Sequence, residues 1–329
     1  MPTNTGALSN ATIGFCSGIA LSDCSQIDSF FQQKKTQNYI KWFNATLANK
    51  SSWSGVTLVD NPQNDAGFRL FWNRIDQIFG GTIDLVQFVA LMSIVSNEAR
   101  ADFRPQAEKM GRDGHPGLAY LFDAIPGLKR SYNTLKGGRT AFDCFNNPAY
   151  LAAHQNLPGA TPFLRTTDEA WKGESWPAAV PTSPTDPNMG FVLEADFMKF
   201  RGRGFIQTTG RANYKGLVSF VQTYTGTNAT LLDYKTRWAG KAPDDICYSS
   251  TNADWDALFQ NTDLAVAAEA VRLHNATSGN YLAISKDPTI LNGQSKGSLY
   301  YMGLRIGGGD AYAQLFRSRV SEVLTAIQA

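Results

Sequence analysis

The chain has 329 residues, 43% of them hydrophobic and 18% charged. That is apolar material for a sizeable core in one large domain or two modest ones, and it excludes an intrinsically disordered chain. A formal net charge of +2 leaves no strong electrostatic drive toward nucleic acid or acidic membranes.

Met1 to Leu21 shows no basic start followed by an apolar core, so no cleavable secretory signal is expected. Residues 1–75 read as a small helical lead-in, separate from 76–329 and suited to docking or targeting. Its clearest helix is Ser25 to Leu47, where Ile27, Phe30, Phe31, Tyr39, Ile40, Phe43 and Leu47 fall near helical spacing. Lys50 to Gly67, with Ser-Gly, Asn-Pro and Asp-Ala-Gly punctuation, reads as loop. Thr82 is placed to cap a helix with Asp84 in its first turn, and Ile83, Val86, Val89, Ala90 and Ile94 carry that helix to about Glu98. Its apolar run, Val86 to Val95, is broken by Gln87 and Ser93 and is too short to span a bilayer. Residues 111–195 read as a loop-rich insertion with short helices over 117–124 and 148–154. Trp176 to Pro187 carries too much proline for a regular helix. Two helices are expected near the end, over Asn261 to Asn275 and Asp310 to Ala326. Strand signals are weak throughout, so the expected class is mainly α.

Four cysteines (Cys16, Cys24, Cys144, Cys247) form no Cys-x-x-Cys pair, and the three histidines (His115, His154, His274) are far apart. Neither pattern suits zinc or thiol redox chemistry, and no cofactor or metal is expected. A local Cys16–Cys24 disulfide competes with ordinary buried thiols.

Two places offer chemistry. Glu98 is the first acid after the long apolar helical stretch. The negative end of the helix dipole and apolar neighbours both disfavour its carboxylate, which suits a general acid that must hold a proton. The competing reading is a solvated helix-end glutamate paired with Arg100. The second place is Arg201-Gly202-Arg203-Gly204-Phe205-Ile206-Gln207-Thr208-Thr209-Gly210-Arg211-Ala212-Asn213-Tyr214. Its glycines allow close approach of a ligand, and Gln207, Thr209 and Asn213 offer neutral donors and acceptors suited to hydroxyl and N-acetyl groups. It is no phosphate loop, having neither Gly-Lys-Ser/Thr nor a preceding apolar strand. A glycine-rich turn before a helix is the plainer reading.

The Arg201–Tyr214 run resembles the R-G-R-G-x-I-Q-L-T-G-R-x-N-Y signature of family 19 glycoside hydrolases, the chitinases and related phage and bacterial endolysins, with Thr208 in place of the leucine. Asn97-Glu98 stands where that family has His-Glu, and Arg305-Ile306-Gly307-Gly308-Gly309 is similar to its R-x-I-N-G-G segment, with Gly307 in place of asparagine. The likeness runs in patches over about residues 80–329. It implies a lysozyme-like α+β fold, with Glu98 as general acid and Glu108 as general base. Arg203, Gln207, Thr209, Asn213, Tyr214 and Gly307 would be substrate-binding positions, and Arg317, or Arg319 in a shifted register, would orient the acid. The implied chemistry is inverting hydrolysis of β-1,4 bonds in peptidoglycan, the preferred substrate, or chitin, with Asp102, Asp113 and Glu194 as other candidates for the base. Such an enzyme without a secretory signal would reach the wall through phage lysis, a virion, an injection device or non-classical export, with a virion or injection-device partner engaged by the N-terminal region and with no membrane insertion. Trp171 and Trp176, in the insertion, are candidates for stacking on a sugar, although most tryptophans serve packing. Two readings compete. Gly204-Phe205-Ile206-Gln207 is also similar to a motif of lytic transglycosylases, which use one glutamate, and a glycan-binding or virion-structural module would keep the fold without turnover.

Overall fold

The computed structural model describes residues 10–104, 107–108, 199–260, 263–276, 279–284, 297–307 and 309–329, and within them the protein is mainly helical. The insertion 111–195, with Trp171, Trp176, Asp113, Glu194, His115, His154 and Cys144, lies outside the described residues. The chain forms two compact units, one made of Met1–Arg104 with Ala267–Ala329 and the other of Pro105–Val266. The boundary expected at residue 75 therefore falls inside the first unit.

In the first unit the chain opens with α1 (Asn10–Ser17), β1 (Ala20–Leu21) and α2 (Cys24–Lys35), then α3 (Tyr39–Thr46) and a 3-10 turn at Ser51–Trp53. The single helix expected over 25–47 is two. Thr36 ends α2 in the left-handed region at φ 57, and the Asn38 side chain accepts from Lys41 N to start α3. Apolar spacing continues across the break, because both helices turn the same kind of face inward.

Next come α4 (Pro62–Trp72), α5 (Ile75–Phe79), β2 (Ile83–Asp84) and α6 (Leu85–Ala99). The expected loop over 50–67 thus gives way to helix at Pro62. Asn61 accepts from Asn64 N and Pro62 occupies the first turn, so Asn-Pro is a helix start here. Thr82 does not cap α6; Asp84 does, in a reciprocal box with Gln87. Residues 83–84 pair antiparallel with β1, Ala20 opposite Asp84 and Leu21 opposite Ile83.

Helix α6 is apolar on every side, and Val86, Phe88 and every residue from Val89 to Ser96 are buried, so it forms the axis of the unit. Phe88 meets Trp72 at 4.7 Å and Tyr39 at 5.1 Å between ring centroids, extending an aromatic cluster that includes Phe31, Trp42 and Phe68. The cysteine pairing left open above is resolved: Cys16 and Cys24 are free buried thiols. Burial, then the charge of Asp84 beside Cys16 and Asp28 beside Cys24, pushes both up to about 12.

The second unit is built on Lys199–Gly210 followed by α7 (Arg211–Thr223), α8 (Ala229–Trp238), α9 (Pro243–Ser249) and α10 (Asn252–Phe259). Its core joins Tyr214 to Trp255 edge-on at 4.8 Å, Phe200 to Tyr214 at 5.0 Å and Trp238 to Trp255 at 5.6 Å. The five described tryptophans of the chain (Trp42, Trp53, Trp72, Trp238, Trp255) are all buried, in line with the packing reading.

After α11 (Ala265–Val271) the chain makes a wide π-turn over Arg272–Ala276, then α12 (Gly279–Ala283), α13 (Ser298–Gly307) and α14 (Asp310–Gln328). Helix α14 packs on α13, α6, α1 and the 3-10 turn, so both ends of the chain share one core. The α13–α14 approach is close because of two glycines four residues apart on one face of α13. A methyl on Gly303 would stand 2.9 Å from both Ala313 Cα and Phe316 Cβ, and one on Gly307 would collide with the Tyr312 ring. Among the described residues, no helix is long and apolar enough to cross a membrane.

Candidate active site

The residues singled out above fall in two clusters, one in each unit. In the first unit, Glu98 lies half-buried in the last turn of α6. Beyond it the chain turns sharply, with Arg100 at φ 53 and Ala101 at φ 49, and both Arg100 N and Ala101 N bond back to Val95 O. Buried Asn64 on α4 fixes this turn. Its amide nitrogen donates to Val59 O and Ala101 O at 2.7 and 2.9 Å, and its oxygen accepts from Phe103 N. The residues after Glu98 are thereby tied to α4, and the carboxyl is left at the end of a rigid helix.

Among the described residues, Glu98 Oε1 accepts from the Asn97 amide at 2.9 Å and from the Tyr312 hydroxyl at 3.2 Å. Behind Asn97, the Arg319 guanidinium donates to Asn97 Oδ1 and, at 2.9 Å, to Ser52 O, and it stacks 4.6 Å over Trp53. Burial lowers the Arg319 pKa from its usual value, opposed by Tyr312, Glu322 and Glu98. Arg319, one of the two arginines weighed from sequence, thus reaches Glu98 through Asn97, and Arg317 lies half-buried two residues earlier on α14. Asn97 stands where the resemblance expects histidine, and as an amide it bridges the arginine to the acid by accepting from one and donating to the other.

Gly307 supplies no side chain to a ligand. A Cβ there would overlap the Tyr312 ring carbons and stand 2.7 Å from Tyr312 Cβ, so this position serves the seating of Tyr312. Burial first, then the charge of Glu98, pushes the Tyr312 phenol above its ordinary range and keeps it a donor. Sequence reasoning missed Tyr312. The signal was there in the Gly307–Gly309 run just before it, since clustered glycines mark close approach, and here what approaches is a tyrosine ring.

In the second unit the glycine-rich run is a tight reversal. Arg203 and Thr208 bond each other's backbone, at 3.1 Å from Arg203 N and 2.8 Å from Thr208 N, with Gly204 at φ 82 and Gln207 at φ 51 between them. Glu108 N donates to Gly202 O at 2.8 Å, which lays the base candidate beside the run. Gly202 is where three polar side chains converge. A methyl on it would run into Gln207 Oε1 and lie 3.1 Å from Glu108 Oε2 and 3.3 Å from Thr209 Oγ1. Gln207 Oε1 is buried with no hydrogen-bond partner among the described residues, an acceptor left open there. Thr209 donates to Gln207 O and Asn213 to Thr209 O, both at 2.7 Å, so these two groups also stiffen the turn.

Arg203 and Tyr214, both expected in the binding set, are internal. Arg203 is 1% exposed, and its guanidinium donates to Lys199 O, Asp256, Asn252 Oδ1 and the Tyr214 hydroxyl at 2.6–3.0 Å. Tyr214 in turn donates to Arg201 O at 2.6 Å. Burial disfavours the charged Arg203, but Tyr214 and Asp256 outweigh it and raise its pKa. These residues hold the run in shape from inside. Asp256 and Asn252, which complete that network, stand about fifty residues away in sequence, and nothing in their local pattern singled them out. Asp102 is engaged by Arg104 at 3.1 Å and caps Arg104 N, so it serves the turn.

No family model, curated protein or solved structure matches the chain.

Proposed function

We propose that the protein hydrolyses β-1,4 glycosidic bonds of peptidoglycan or chitin, with peptidoglycan preferred, on a lysozyme-like scaffold. Glu98 acts as general acid and protonates the leaving glycosidic oxygen, while Glu108 acts as general base on a water and the anomeric centre inverts. Gln207, Thr209 and Asn213 offer the amide and hydroxyl groups that pair with sugar hydroxyl and N-acetyl groups.

The observation that carries the reading is the shell around Glu98: an acid at the end of an apolar helix, held by Asn97 and Tyr312 with Arg319 behind. A structural surface glutamate has no need of three positioned side chains, whereas a group that must present a proton along one direction does. The convergence of Glu108, Gln207 and Thr209 on Gly202 supports the assignment of the second carboxylate and the sugar contacts, and the resemblance of the Arg201–Tyr214 run supports the glycan substrate.

The test is digestion of purified sacculi and of chitin by wild type and Glu98→Gln, with mass spectrometry of the released fragments. Reducing ends made by the wild type alone are expected, with activity bell-shaped in pH because one carboxyl must be protonated and another ionised. Anhydro-muramic ends would transfer the protein to the transglycosylases. Binding to sacculi without release, unchanged by Glu98→Gln, would make it a glycan-binding module.

A further inference from the structure

We infer that Tyr312 is a positioning residue for the acid, seated on the bare backbone of Gly307 so that its phenol fixes which oxygen of Glu98 carries the proton. The inference deepens the proposed function and rests on its assignment of Glu98.

Three observations carry it. Tyr312 and Asn97 both donate to the same oxygen, Oε1. An oxygen that accepts from two donors has no place for its own proton, so the transferable proton of the neutral acid belongs to Oε2. The ring can reach this position only because residue 307 has no side chain: a Cβ there meets ring carbons near the root of the tyrosine, which cannot swing aside. Gly303, one turn earlier, brings the two helices close enough for that seating, with Ala313 Cα and Phe316 Cβ both 2.9 Å from where its own Cβ would be. On α14, Tyr312 and Arg319 face Glu98, and Glu322 faces Arg319 in turn. Tyr312 makes the direct contact, and Arg319 acts through Asn97.

A phenol donating to Oε1 stabilises the carboxylate relative to the acid. Its removal therefore moves the Glu98 titration upward. The experiment is a carboxyl-13C titration of protein labelled at its seven glutamates, with the Glu98 signal assigned by its loss in Glu98→Gln. Tyr312→Phe keeps the ring and deletes only the hydroxyl. Its Glu98 midpoint should rise by about one pH unit, the scale of one hydrogen bond to a charged acceptor. Tyr300→Phe, which deletes a hydroxyl bonded to Asp310 at 2.6 Å on the same helix pair, should leave the midpoint in place. Gly307→Ala should displace the ring and reproduce the rise, and combining it with Tyr312→Phe should add nothing further. A midpoint within about 0.3 units of wild type in Tyr312→Phe, an equal rise in Tyr300→Phe, or full additivity of the two substitutions would each overturn the inference.

The titration reads the inference even if the wild type cleaves no glycan, an outcome that would sink only the proposed function. If the wild type does cleave, Tyr312→Phe should carry the alkaline limb of its pH–rate profile upward by the same amount. An unmoved limb would refute the positioning role.

Discussion

Asn64 offers the sharpest test of how Glu98 is held. Its side chain is fully buried and makes three hydrogen bonds to backbone, at Val59 O, Ala101 O and Phe103 N. Ala101 and Phe103 are themselves fully buried, so water cannot replace the lost partner there, and each orphaned group costs about 1–3 kcal/mol. Val59 is half-buried and its carbonyl can be partly rehydrated, which adds about 0.5–1 kcal/mol. Asn64→Ala should therefore destabilise the protein by about 2.5–7 kcal/mol, a large part of the roughly 5–15 kcal/mol typical of a folded domain. Asn64→Asp separates the hydrogen bonds from side-chain volume. It still accepts from Phe103 N but turns a carboxylate toward two carbonyl oxygens, so it should be no more stable than the alanine variant at neutral pH. It should recover partly in acid, where its hydroxyl can donate. Urea unfolding followed by tryptophan fluorescence reports on this unit through buried Trp53 and Trp72. A loss below about 1 kcal/mol for Asn64→Ala, or a wild-type midpoint for Asn64→Asp at neutral pH, would refute the account of the turn.

In the second unit, Arg203→Met leaves Asp256, Asn252 and the Tyr214 hydroxyl without their central donor. It should cost about 3–5 kcal/mol, as for a broken buried pair, read as a lower thermal midpoint; a change of under 1 °C would place the support of the run elsewhere. Burial, and then the charge of Arg305, holds His274 neutral with its pKa down at about 4. An unfolded histidine titrates near 6.5, so this group's share of stability is present above that value and is lost as pH falls toward 4. Melting curves across that window should show a steeper decline for wild type than for His274→Leu, and parallel declines would refute the assignment.

The long helix before Glu98 was legible because a run apolar on every side can only be an interior helix, and its end at the acid followed from where the apolar run stopped. The division of 25–47 into two helices was hidden because spacing persists across the break while the signals that end one helix and start the next, Thr36 and Asn38, are single residues. Asn61-Pro62 shows the same difficulty in reverse: one dipeptide serves a turn or a helix start, and the packing of α4 on residues 101–103 decides between them. In the two candidate clusters, Glu98 on one side and Glu108, Gln207 and Thr209 on the other were marked by chemistry and by the resemblance. Asn64, Tyr312, Asp256 and Asn252 were not, because their work is defined by partners tens to hundreds of residues away. Arg203 and Tyr214 were conspicuous in sequence and are enclosed in the structure, where a buried charged group is as constrained as one that touches a ligand.

The shell of Glu98 draws on both ends of the first unit, with Asn97 from one segment and Tyr312 and Arg319 from the other. A ribosome adds about 5–20 residues per second. Arg319 stands 319 − 98 = 221 positions after Glu98, so the Glu98 carboxyl waits on the order of 10–45 seconds for Arg319 to be made. Throughout that interval the nascent chain carries an unassembled acid, and a fragment ending before Tyr312 never acquires a positioned one. Dividing a carboxyl's surroundings between early and late parts of the chain makes its positioning wait on the later segment.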